Sequence, residues 1–152
     1  MKVVLQRSNE SCVKVDNKIV GKIDKGYVLL VGLTKNDTIE DISKMAKKIV
    51  NLRIFTDEND KMNLDLKTIG GSILSISQFT LYASLDGRRP SFTDAMKYED
   101  AKKYYELFND ELRGYDIKVE TGIFGADMKV NINNDGPVTI ILDSKEIYCK
   151  RN

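Results

Sequence analysis

The sequence predicts an α+β fold: a mostly antiparallel, curled sheet or barrel-like core with two main helices. Three observations point there. Short strand-like segments follow one another at hairpin distances, two apolar runs read as buried strands, and two separate stretches carry helical spacing. Residues 2–7, Ser11–Val15 and Lys18–Ile23 are the first strands, the last two joined by Asp16-Asn17, residues suited to a tight turn. Residues 27–33 and 72–82 are the buried runs. Thr38-Ile39-Glu40-Asp41 reads as a capped helix start, after which Ile39, Ile42, Met45, Ala46, Ile49 and Val50 keep helical spacing. A second helix begins near Thr93 or Asp94 and sets Tyr98, Ala101, Tyr105, Phe108 and Leu112 on one stripe. Lys102, Lys103, Glu106 and Asp110 lie off that stripe, and Gly114 suits the stop. Met128, Val130 and Ile132 then alternate with polar neighbours as a half-buried strand does. A final strand, 137–143, follows the turn residues Asn134-Asp135-Gly136.

No repeat or linker composition interrupts the chain, so residues 1–152 read as one domain. A chain of this size buries roughly 68–70% of its unfolded surface, enough for a core without disulfides or metals. Apolar residues at 41% and charged residues at 31% describe an ordered globular protein. The longest apolar run falls far short of the roughly 20 residues of a membrane span. The N-terminus turns polar too early for a signal peptide, so the protein is expected in the cytoplasm. Cys12 and Cys149 are then expected as reduced thiols.

Function classes are narrowed most by a residue that is missing. The chain has no histidine, which removes Ser-His-Asp and Cys-His arrangements and any His-ligated zinc or iron site. Chemistry falls to carboxylates, hydroxyls, lysine, backbone groups or the substrate itself. The net charge of +1 says nothing about partners. Gly21-x4-Gly26 has phosphate-loop spacing, but Tyr27-Val28 stands where Lys and Ser/Thr belong. No G-x-G-x-x-G or G-x-S-x-G occurs. Asp57-Glu58-Asn59-Asp60 lacks the glycine and distal glutamate of a calcium loop and reads as a solvated turn. No cofactor or metal is expected.

Three segments do carry a signal: Ser77-Gln78-Phe79-Thr80-Leu81, Gly122-Ile123-Phe124-Gly125-Ala126-Asp127-Met128, and Asn134-Asp135-Gly136-Pro137-Val138-Thr139. Read singly, the first is a strand end with Phe79 and Leu81 packed inward, and the third is a hairpin turn. Together, and in this order, they resemble the SQFTL, GxFGAxM and NxGPVT signatures of D-aminoacyl-tRNA deacylases. Val3-Val4-Leu5-Gln6-Arg7 and Gly87-Arg88-Arg89-Pro90-Ser91-Phe92 add to the likeness, which spans nearly the whole chain. Arg88-Arg89 alone reads as a solvated loop.

The resemblance implies an editing hydrolase that cleaves D-aminoacyl-tRNA while sparing L-aminoacyl esters. A backbone pocket that excludes an L side chain has nothing to exclude in glycine, so glycyl-tRNA mischarged on alanine tRNA is an expected second substrate. The resemblance also implies a homodimer in which Gly136 and Pro137, joined by a cis bond, enter the partner's site and offer carbonyls to the substrate's amino group. Ser77, Gln78, Phe79 and Thr80 are its implied catalytic segment, and Arg7, Ala126 and Met128 its supporting residues. The residues themselves suggest how an ester would be cut. A turn at Gln78-Phe79-Thr80 can aim backbone N–H groups at an oxyanion. Thr80 as nucleophile needs a base that its segment does not contain, whereas the ribose hydroxyl beside the ester comes with the substrate. Two rivals stay open: an RNA-binding module without activity, and a Thr80-nucleophile esterase acting on small esters.

Overall fold

Asp16 and Asn17 both take positive φ, 50° and 63°, as the tightest hairpin turns require. They join strand β2 (Ser11–Val15) to β3 (Lys18–Ile23), as the sequence predicts. The computed structural model describes residues 1–147; Cys149 lies outside them, and Cys12 is a free thiol. The other strands are β1 (Lys2–Ser8), β4 (Gly26–Gly32), β5 (Phe55–Thr56), β6 (Met62–Leu64), β7 (Ser72–Ser77), β8 (Val119–Thr121), β9 (Lys129–Asn131) and β10 (Asn134–Asp143). The helices are α1 (Ile39–Val50), α2 (Tyr98–Arg113) and the short α3 (Ser144–Ile147).

The fold is α+β, but the sheet does not close. Strands β10-β1-β4-β7-β8 form one sheet, β3-β2-β9 a second and β5-β6 a third. Most pairings are antiparallel, as predicted; β4–β7 and β7–β8 are parallel. Those two pairings need long crossovers, and α1 and α2 lie within them. The five-stranded sheet is covered on both faces. On one side Val3, Leu5, Tyr27, Leu29, Val31 and Ile73 pack under α1 and α2. On the other, Val28, Leu74 and Ile76 meet Val13 and Ile23 of the second sheet. Burial on both faces is why β4 and β7 read as continuous apolar runs and not as alternation.

Helix α1 starts where its local signal says. Thr38 caps it, accepting from the Asp41 N–H at 3.2 Å, while Asp41 accepts from the Thr38 N–H at 2.8 Å. Helix α2 starts later than the expected Thr93 or Asp94, at Tyr98. The backbone of its would-be first turn is engaged elsewhere: Met96 N–H donates to Leu33 O at 2.9 Å, and Thr34 Oγ1 to Asp94 O at 2.6 Å. The 72–82 run also divides. Its strand ends at Ser77, paired with Val31, and residues 79–82 form a 3-10 turn. Asp57 to Asp60 form the turn between β5 and β6, with Asp57 Oδ1 accepting from the Asn59 and Lys61 N–H groups. At the start of β1 the buried amino group of Met1 is held by Asp37 and by Ser144 Oγ, tying together β1, the approach to α1 and α3.

Leu74 is fully buried between the two sheets. Leu74→Ala should cost about 2–5 kcal/mol, read as a lower urea midpoint with an unchanged slope.

Candidate active site

Where β7 runs out of partner, the chain turns outward, and the glycine ending β4 lets it turn closely. A Cβ on Gly32 would lie 2.9 Å from the Leu81 Cβ and 3.0 Å from Gln78 O. The Gln78 N–H is committed to Val31 O at 2.7 Å. The opening N–H groups of such a turn have no acceptor within it, and among the described residues Phe79 and Thr80 N–H have none elsewhere. Phe79 lines a cavity of about 510 Å³, so one unengaged backbone donor belongs to a residue of the cavity wall, and Thr80 carries the next one along the chain.

Ser77, Gln78 and Phe79 form one wall of this cavity, and Ala126, Asp127 and Met128 another. The second wall is shaped by its glycines. A Cβ on Gly122 would collide with the Met128 sulfur, and one on Gly125, at φ 78°, would reach within 2.8 Å of the Tyr98 ring. Phe124 packs edge-on against Tyr98 at 5.1 Å and tilted against Tyr105 at 5.6 Å. The Tyr105 hydroxyl donates to Ser75 O at 2.7 Å, and burial pushes it above the usual tyrosine range. Of the lining residues only Tyr98, Tyr105 and Asp127 titrate. Asp127 is paired with Lys129 at 2.9 Å.

Thr80 is exposed, does not line the cavity, and its hydroxyl accepts from the Gln78 amide. Phe79 is 57% exposed, in contrast to the inward packing that composition alone suggests. It leans edge-on against Phe92 at 4.9 Å. Helical spacing sets Tyr98 and Tyr105 on one stripe of α2; their place at the cavity follows only from how α2 docks.

Gly136 and Pro137 lie apart from this cavity. Their peptide bond is cis, and both are exposed within β10. The segment is not the tip of a hairpin, since β9 and β10 belong to different sheets. It is a bulge: Ser8 pairs with Asn134 and Gln6 with Thr139, so Arg7 alone faces residues 135–138. Arg7 is buried and holds the bulge, its Nε meeting the Asp135 carboxylate at 3.1 Å and its NH1 donating to Ile54 O at 2.8 Å. Asn134 braces it from the other side, donating to Arg7 O and Val138 O, each at 3.0 Å. The structure thus gathers Ser77, Gln78, Phe79, Ala126 and Met128 at one place and Arg7, Gly136 and Pro137 at another.

Comparison with known proteins agrees over nearly the whole chain. The D-aminoacyl-tRNA deacylase of Clostridium perfringens is 58% identical over 149 residues, covering 97% of this chain and all of that one. The D-aminoacyl-tRNA deacylase of Fervidobacterium nodosum is 54% identical with the same coverage. Among solved structures, the c-Myc DNA unwinding element binding protein superposes with a TM-score of 0.89 at 39% identity, covering 94% of this chain and 98% of that one. A probable eukaryotic D-amino acid tRNA deacylase shares the fold, with a TM-score of 0.79 at 19% identity over 93% of this chain and 97% of that one. Residues 4–143 match the D-Tyr-tRNA(Tyr) deacylase profile, and the chain belongs to that family.

Proposed function

We propose that this chain is a cytoplasmic editing hydrolase that frees tRNA from D-amino acids and glycine, working as a homodimer. One observation carries the reading beyond family membership: the cavity wall holds the unengaged backbone N–H of Phe79 and, among the described residues, no unpaired carboxylate, amine or imidazole. The Tyr105 hydroxyl is engaged by Ser75 O and pushed up by burial, and the Asp127 carboxylate is paired with Lys129. Such a site positions an ester and stabilises its oxyanion. Water adds to the carbonyl carbon, and its proton passes through the neighbouring ribose hydroxyl to the ester oxygen as the C–O bond breaks. The products are the free amino acid and tRNA with both ribose hydroxyls restored.

Selection against L-esters is assigned to Gly136 and Pro137 of the partner subunit. In support, the pair is exposed, rigidly braced by Arg7 and Asn134, and outside its own chain's cavity. Beside it Ile141 is 73% exposed, next to its half-buried strand partner Val4, an apolar spot suited to a second copy.

Three outcomes follow. Thr80→Ala should keep substantial single-turnover activity on D-aminoacyl-tRNA, whereas tRNA ending in 2′-deoxyadenosine should be cleaved poorly. A drop of Thr80→Ala to background would restore the hydroxyl as nucleophile. Mixing a Pro137→Ala subunit with one crippled at Gln78-Phe79 should recover activity once subunits exchange; a mixture no better than its components would place the whole site in one chain. Exclusion of L-esters by 10⁴ requires roughly 5.5 kcal/mol, which steric overlap with backbone can supply. Glycine has nothing to overlap. Glycyl-tRNA should therefore be cleaved within a few tens-fold of D-alanyl-tRNA, while L-alanyl-tRNA resists, measured side by side at one enzyme concentration.

A further inference from the structure

Beyond the 3-10 turn the chain forms an arm that leaves the cavity mouth and returns to it. Its base is closed by Ser84 and Ser91, whose backbones exchange hydrogen bonds of 2.7 and 3.0 Å. Every residue from Leu85 to Pro90 is exposed. Both ends are tied to the site: Ala83 N–H donates to Thr80 O at 3.1 Å, and Phe92 stacks edge-on upon Phe79, a cavity wall.

The arm's charge is one-sided. It carries Arg88 and Arg89 against a single acid, Asp86, which accepts the Ser84 hydroxyl at 2.6 Å. The next acid along the chain, Asp94, is paired with Lys35 at 3.1 Å. Among the described residues neither arginine has a hydrogen-bond or ion-pair partner. Two cations on adjacent residues repel unless an anion comes between them, and the planar guanidinium fork matches the oxygens of a phosphate bidentately. The bridge at the base and Pro90 limit the arm's freedom, which lowers the entropic cost of holding a ligand. Three extended residues per side reach at most about 11 Å from the bridge.

We propose that this arm grips the backbone phosphates of the RNA strand entering the cavity, Arg88 and Arg89 taking one phosphate each next to the terminal adenosine. The inference rests on the function proposed above and names the part of the substrate that this segment holds. Phosphate contacts position a nucleic acid without reading its sequence, so the arm serves every tRNA and every amino acid alike.

The test compares wild type with Arg88→Ala/Arg89→Ala on two esters, a D-aminoacyl-tRNA and the corresponding 3′-D-aminoacyl-adenosine, which has no phosphate. On tRNA the variant should lose about tenfold or more in kcat/KM, through KM, with the salt dependence shallower by about 1.4 on a double-logarithmic plot. On the adenosine ester it should match wild type. Unchanged kinetics and salt slope on tRNA would overturn the arm's role, as would equal losses on both esters, which would mean that the arm only shapes the site. If wild type cleaves neither ester, the proposed function fails separately. Fluorescence polarisation with uncharged tRNA then reads the arm alone, and equal affinity of wild type and variant overturns it.

Discussion

Strands β4 and β7 run side by side in parallel from Gly26–Ser72 to Val31–Ser77, and at the start of that pairing there is no room for a side chain. A Cβ on Gly26, at φ 147°, would overlap the carbonyl oxygen of Ser72. Everything that positions the cavity depends on this pairing. Being parallel, it forces a crossover through α1, and its continuation to β8 forces one through α2. Because it sits mid-sheet, it must be covered on both faces, by the two helices and by the β3-β2-β9 sheet. Its last rung, Val31–Ser77, marks where the chain turns outward.

The cavity is a consequence of that ending. Past Ser77 the backbone closes a tight turn against Gly32 and leaves the Phe79 and Thr80 N–H groups without a backbone acceptor. The docking of α2 then brings Tyr98 and Tyr105 to the opposite side, and the glycines at 122 and 125 allow the 122–128 loop to lie close against them. No part of this wall provides an unpaired carboxylate or an amine. A backbone donor beside an apolar wall gains strength when a ligand displaces water from it, and a site of this kind acts through placement more than through proton transfer by its own side chains.

The Arg7–Asp135 pair fixes a second feature in much the same way, through one buried cation. A buried guanidinium needs partners for its charge and its donors, and Arg7 finds them in Asp135 and in Ile54 O. Those bonds and the two from Asn134 hold residues 135–138 in a bulge at the sheet edge. A bulge there keeps Gly136 and Pro137 accessible and also interrupts an edge that would otherwise pair freely.

By itself the sequence determined what is local. The Thr38–Asp41 capping box, the Asp16-Asn17 turn and the two-residue alternation in β9 each involve neighbours within four positions, so their spacing is visible in the string. The missing histidine is equally plain, as are the three signature segments, including the cluster of Ser77, Gln78 and Phe79. Tertiary structure alone decided the rest. Helix α2 starts at Tyr98 because Leu33 and Thr34 bind the backbone before it. Phe79 faces outward because β7 has lost its partner strand. Gly136 and Pro137 stand apart from the cavity because β10 pairs with β1, at the far edge of the sheet from β7. Each of these outcomes rests on backbone hydrogen bonds between segments tens of residues apart, and such bonds leave no periodicity or spacing in the sequence to read.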